Sequence, residues 1–295
     1  MEIASTAALI TALCWALAGL TAVYPVQVLG PLTFNRIRMQ FIAMMLLLIV
    51  LATGGWRTLN ASYIIALLLS GTIGILIGDS FLYTSLQRLG PRRNSILFST
   101  NAPCTALLGF IFLDERLNIV AIMGITLVVI GVICAIAFGQ RHAQKSSWED
   151  IRGSLLFGVA IALCAAVCQS VSALIARPVM SAGVDPVAAN LVRVSVALVA
   201  LTCAGFVPRW RNTVPLTPRM VGQTAISGMF GMGIGMTCLM FALAHGKTGL
   251  VATLSSVTPV MILPILWLLT KQRPPLGAWI GAAITVVGIA FILNH

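Results

Sequence analysis

The ten residues 74 to 83, GILIGDSFLY, place one carboxylate, Asp79, in a run from Tyr63 to Gln87 that is otherwise free of charge. A carboxylate at the centre of a bilayer costs about 2.5 to 3.5 kcal/mol on the lenient insertion scale, so some feature of the fold must offset it. On a helical wheel Thr72, Asp79 and Tyr83 form one stripe, while Gly71, Gly74 and Gly78 form another about a third of a turn away. The small stripe suits close helix packing and leaves the polar stripe for a cavity or a partner charge. Asp79 then has three readings: structural partner of an arginine, cavity wall in contact with a solute, or protonatable coupling group. The cations within reach in sequence are Arg36, Arg38 and Arg193. Arg36 is expected to snorkel to the interface. Arg38 and Arg193 each follow an asparagine (Asn35, Asn190) by three residues and share a role in binding carboxylate, neutralising Asp79 or latching the molecule. With three cations against one anion inside the spans, the expected solute carries a carboxylate or another anionic group.

Further polar groups point the same way. Asn101 and Gln169 each have up to four hydrogen-bond positions, which a hydrated cavity meets and lipid does not. Ser99 lies on a stripe beside Asn101, and Trp15 is four residues from Thr11. Trp15 reads equally as a platform for solute or as packing, and an isolated Ser or Thr reads first as a bond to the carbonyl one turn earlier. Catalytic constellations are missing. GxSxG, HExxH and GxxxxGK[ST] do not occur, and the three histidines (142, 245, 295) fall in loops or at the terminus. The seven cysteines all fall in apolar runs without metal-ligand spacing. We therefore expect no enzyme activity, no cofactor and no metal.

The elements that must position these residues follow from composition. The chain has 295 residues, 59% hydrophobic and 8% charged, with a mean hydropathy of +1.02, outside the range of soluble domains. Its net charge of +11 is spread singly or in small groups between apolar runs, which indicates loops at a lipid bilayer and not nucleic-acid binding. The runs are long enough for helices to cross a bilayer, whereas a β-barrel needs short alternating strands. They predict ten spans, near 3–24, 31–53, 62–86, 94–113, 118–138, 152–176, 186–207, 220–244, 248–270 and 276–293. The first is read as a span because it lacks a basic leader. Trp56, Trp148 and Trp210 sit beside loop charges, as interface anchors do.

The chain is also written twice. Leu13-Cys14 falls on Leu163-Cys164 at an offset of 150; Pro31, Asn35 and Arg38 fall on Pro186, Asn190 and Arg193 at 155; Gly90, Ser99 and Pro103 fall on Gly246, Ser255 and Pro259 at 156; GITLVVIG (124 to 131) falls on GAAITVVG (281 to 288) at 157. Five spans per half is an odd number, so the second copy enters the bilayer in the opposite sense. The expected fold is all-α, ten transmembrane helices as two inverted five-helix repeats around a central cavity, with residues 1–140 and 152–295 as the repeats and 141–151 as the connection. Pro103 in span four, and Pro259 and Pro264 in span nine, mark interrupted helices.

With its two five-span repeats, the string GDSFLYTSLQRLGPRRNSIL followed by Pro103, LDERL at 113 to 117 and glycine-rich fifth and tenth spans, the sequence resembles the EamA-type members of the drug/metabolite transporter superfamily. The resemblance implies a secondary transporter, exporter or exchanger, of small polar metabolites in the inner cell membrane, amino acids or related carboxylates being a frequent class. It implies a cavity lined by spans one to four and six to nine, with Trp15, Asn35, Arg38, Asp79, Tyr83, Ser99, Asn101, Gln169, Asn190 and Arg193 as its candidate walls. The expected partners are a small-molecule substrate and lipid, and the chain is expected to act as a monomer. A flippase of a lipid-linked intermediate is the alternative within transport, and an intramembrane enzyme the rival outside it. Two departures stand out. Glu115 of LDERL has no acidic counterpart, since Lys271-Gln272-Arg273 occupies its place, so it reads as a helix-end device. The loops after odd spans also hold most of the Lys and Arg, which puts the termini outside, whereas the family resemblance puts them in the cytoplasm.

Overall fold

The computed structural model describes residues 2–115, 117–137, 153–207, 214–270 and 276–293. The connection 141–151, Trp148, Trp210, Lys271-Gln272-Arg273, His142, His295 and the loop cations Arg116, Arg141, Lys145, Arg152, Arg209 and Arg211 lie outside the described residues.

Among the described residues six helices are long and apolar enough to cross a membrane: α1 (Glu2–Leu29), α2 (Pro31–Thr53), α3 (Ala61–Gly90), α6 (Leu155–Ser181), α7 (Pro186–Ala204) and α8 (Pro218–His245). Shorter apolar helices complete the bundle. They are α4 (Asn101–Leu113), α5 (Ile119–Ala137), α9 (Thr248–Ser255, resuming as Thr258–Thr270) and α10 (Leu276–Leu293). Proline at the first position starts α2, α7 and α8, where its missing N–H is not needed. Asp185 and Thr217 accept from the backbone of α7 and α8 as N-caps. α1 runs past the expected end at residue 24 to Leu29 and carries Pro25 within it.

The interruptions fall at corresponding places in the two halves. α3 passes through a π segment at Thr72–Asp79 and α8 through one at Met229–Gly235. After a kink at Gly90 (φ +78°) the chain stays helical to Phe98, breaks, and resumes as α4; α9 breaks at Ser256 and Val257. Pro103 and Pro259 each lie just inside the restarted helix, so the predicted spans four and nine are each two pieces and not single rods.

Packing obeys the same exchange. α5 packs on α10, α2 on α7, α4 on α9, α3 on α6 and α1 on α8. Swapping the halves maps this set onto itself. The α2–α7 pair is antiparallel, since Gly55 meets Asp185 at one end while Gly205 meets Arg36 at the other. So is α5–α10, where Gly131 meets Thr285 and Gly281 while Gly288 meets Val128 and Gly124.

The close contacts also correct the register of the first span. A Cβ on Gly74 would lie 2.3 Å from Ser172 Oγ and one on Gly78 3.2 Å from Cys168 Cβ; on Gly231 and Gly235 it would lie 3.1 Å from Ala18 Cβ and from Cys14 Cβ. Ser70 Oγ donates to Ser172 O at 2.8 Å and Ser227 Oγ to Ala18 O at 2.9 Å. Residues 14 and 18 therefore correspond to 168 and 172, an offset of 154 instead of 150. A four-residue slip is about one helical turn and leaves the same face forward, so periodicity alone does not detect it. At the corrected offset Trp15 corresponds to Gln169.

Candidate functional site

Two polar assemblies lie inside the bundle. The first is a narrow cavity of ≈ 10 Å³, room for about one water molecule. Trp15, Gln169, Asn101, Thr105 and Ser255 supply the polar part of its wall, and Leu239, Leu243 and Val251 belong to the apolar part. Trp15 and Gln169, at equivalent positions of the two halves, share this one wall. The indole Nε1 donates to Gly231 O at 3.1 Å, a carbonyl of the α8 π segment. Thr11 Oγ1 donates to Gly235 O at 3.1 Å, and Asn190 Nδ2 to Met232 O at 2.6 Å and Thr237 Oγ1 at 3.0 Å. The backbone polar groups around this distorted turn thus find side-chain donors inside the protein, as a broken helix in a membrane requires. Ser99 is buried nearby in sequence at the break before α4, and Asn101 O accepts from Ser170 Oγ at 3.1 Å. The polar part of the wall is wholly uncharged.

The second assembly is charged. Arg38 donates to Asp79 Oδ2 and to Tyr83 Oη. Its guanidinium carbon stands 4.7 Å from the Tyr83 ring centroid and 5.7 Å from that of Phe34, and the two rings meet edge-on at 4.9 Å. Cation–π attraction of this kind adds to the ion pair where water is excluded. Arg193 also bears electrostatically on Asp79, but its hydrogen bonds go to Met240 Sδ at 3.1 Å and Ser172 Oγ at 2.9 Å. Arg38 is 2% exposed and Arg193 1%. Of the candidate walls, Trp15, Asn101 and Gln169 line the small cavity; Arg38, Asp79 and Tyr83 form the separate cluster; Asn35, Asn190 and Arg193 are buried without lining the cavity. Neither polar atom of the Asn35 amide has a hydrogen-bond partner, whereas its counterpart Asn190 has two bonds from its Nδ2.

Two features were not read from sequence as parts of a site. Glu115, after the end of α4, accepts from Thr248 N at 2.6 Å and Thr248 Oγ1 at 2.7 Å, and stands 3.7 Å from Arg177 Nε. It caps the start of α9 in the other half, which lacks a side-chain cap of its own. The glycine-free acidic string LDERL was its only signal. Arg36 lies against Gly205 at the end of α7 and lines an open groove of ≈ 300 Å³ with Gln40, Thr202 and Phe206.

An all-helical apolar bundle with interrupted helices around buried polar groups defines a multi-pass membrane protein. The chain belongs to the EamA-like transporter family, whose model matches residues 3–137 and again 156–294. One solved crystal structure aligns with a TM-score of 0.77 at 19% identity, covering 98% of this chain and 95% of that one, which is a likeness of fold. A search of curated proteins returned no match.

Proposed function

We propose that this family member is a secondary transporter working by alternating access, an exporter or exchanger of a small polar metabolite in the inner cell membrane, and that the solute is an amino acid or related carboxylate. The two halves, 1–140 and 152–295 joined by 141–151, are five-span inverted repeats, ten spans in all, which rock about the shared interior. The observation that carries this reading is the exchange-symmetric packing with antiparallel counterparts, closing on a wall shared by Trp15 and Gln169. A cavity of one-water size is too small for such a solute, and rocking of α3–α4 against α8–α9 widens it. The chain acts as a monomer, with a small molecule and lipid as its partners.

Counterflow into proteoliposomes across a panel of amino acids and organic acids tests this. At least one solute should exchange in a protein-dependent manner, and Gln169→Ala should slow that exchange by about tenfold, the effect of one or two lost hydrogen bonds. A panel without any exchange would refute the reading. Asp79→Asn tests proton coupling separately. Loss of response to an imposed pH gradient with counterflow retained supports coupling, and an unchanged response leaves Asp79 as the partner of Arg38.

A further inference from the structure

The two buried arginines occupy equivalent places but are neutralised unequally. The offset of 157 that carries the π segment of α3 onto that of α8 carries Asp79 onto Met236 and Tyr83 onto Met240. At the positions equivalent to Asp79 and Tyr83, which hold Arg38, the second half has Met236 and Met240, and Met240 meets Arg193. Its Nη1 reaches only the thioether sulfur of Met240 and its Nη2 the hydroxyl of Ser172, and Nε has no partner. A thioether is a weak acceptor and carries no charge. The guanidinium is 1% exposed, and a cation so buried is costly unless an anion joins it. Asp79 accepts its hydrogen bond from Arg38 and reaches Arg193 only through space, so among the described residues Arg193 has no carboxylate bonded to it.

The two acceptors of Arg193 lie on helices that also wall the cavity. Ser172 precedes Ala173, and Met240 sits one residue after Leu239 and one turn before Leu243; Ala173, Leu239 and Leu243 all line the cavity. On the α3 side the neighbour is Gly74, where an added Cβ would meet Ser172 Oγ at 2.3 Å and stand 3.5 Å from Nη2, so glycine leaves the room that Ser172 and the guanidinium share. Methionine is unbranched and adapts to irregular space, so its sulfur can leave a donor without moving the backbone.

We propose that Arg193, and not Arg38, anchors the carboxylate of the transported solute, with Met240 occupying the anion's place until solute arrives and Met236 leaving the site without an internal carboxylate. The solute's body then lies between Trp15 and Gln169. This rests on the transport reading and adds which charge the site takes and where. Guanidinium matches carboxylate in a two-bond fork, so a neutral amide of the same shape should bind much less well.

The test uses the purified full chain in detergent, with benzoate and benzamide as shape-matched probes and sodium chloride and sodium sulfate as inorganic arms at equal ionic strength. Thermal unfolding is followed over a titration of each. Benzoate should raise the midpoint, benzamide and the two salts should not, and Arg193→Gln should weaken the benzoate response at least tenfold. Met236→Asp supplies the missing carboxylate from within. It should raise the midpoint without ligand and abolish the benzoate response, which a merely structural role of Arg193 does not predict. Equal responses to benzoate and benzamide overturn the proposal. So does a salt response as large as that of benzoate, or a benzoate response unaltered by Met236→Asp. Failure of counterflow with every solute strikes the transport reading instead, because a benzoate response sensitive to Met236→Asp still supports the anchor.

Discussion

Replacing Gly71 by alanine is a direct probe of how the two halves are held. A methyl built on Gly71 falls 2.3 Å from the carbonyl oxygen of Arg193 and 2.7 Å from its Cα. Ordinary contact begins near 3.4 Å, so α3 and α7 must part by about 1 Å, from 2.3 to 3.4 Å. The obstacle is helix backbone, which cannot rotate away as a side-chain tip can. Overpacking of this kind costs about 1 to 3 kcal/mol, while alanine in a helix gains about 1 kcal/mol over glycine. Gly19→Ala separates the two effects. Gly19 is also helical, but nothing lies within 4 Å of its added Cβ, so it receives the propensity gain without the clash. Thermal and denaturant unfolding of the two variants in one mild detergent should differ by about 1 to 3 kcal/mol, Gly19→Ala being the more stable. Counterflow should fall in Gly71→Ala, because the displaced backbone is that of Arg193. Equal stability of the two variants would falsify the reasoning that α3 lies directly on α7.

Three further outcomes follow from the buried polar groups. Asp79→Asn leaves the Arg38 guanidinium without its counter-charge and should cost about 3 to 5 kcal/mol; adding Arg38→Gln should recover part of that loss, and a strictly additive double-mutant cycle would contradict the pair. Glu115→Ala uncaps the start of α9 and should cost about 0.5 to 2 kcal/mol, seen as a lower unfolding midpoint, with no change counting against the cap. Asn35→Leu removes a buried amide that has no partner and should stabilise the protein by about 1 to 3 kcal/mol while reducing counterflow; a lowered midpoint would mean that the amide is bonded after all.

Much of the architecture is legible in the sequence because the chain repeats itself and its breakers are fixed in place. Pro103 and Pro259 predict the breaks before α4 and within α9, whereas Pro264 sits inside the unbroken piece Thr258–Thr270, and Gly71, Gly74 and Gly78 predict a face for close packing. The register of α1 on α6 is not legible, because residues four apart share a face. Nor is the partner of Asp79, since Arg36, Arg38 and Arg193 lie far from it in sequence and only tertiary packing selects among them. Glu115 is read correctly as belonging to a helix end, but that helix begins 133 residues later, and no local pattern carries so long a connection.

The Glu115 clasp has a thermodynamic result for the working cycle. A carboxylate after α4, the start of α9 and Arg177 of α6 meet there, and the sequence has Lys271-Gln272-Arg273 where a second acid would stand. In the proposed rocking cycle, parting α4 from α9 breaks this contact, and the exchange-related parting has no equivalent acid to break. In that cycle the apparent affinity for solute differs between the two faces, while net flux still follows the solute gradient, because a passive exchanger has no direction of its own.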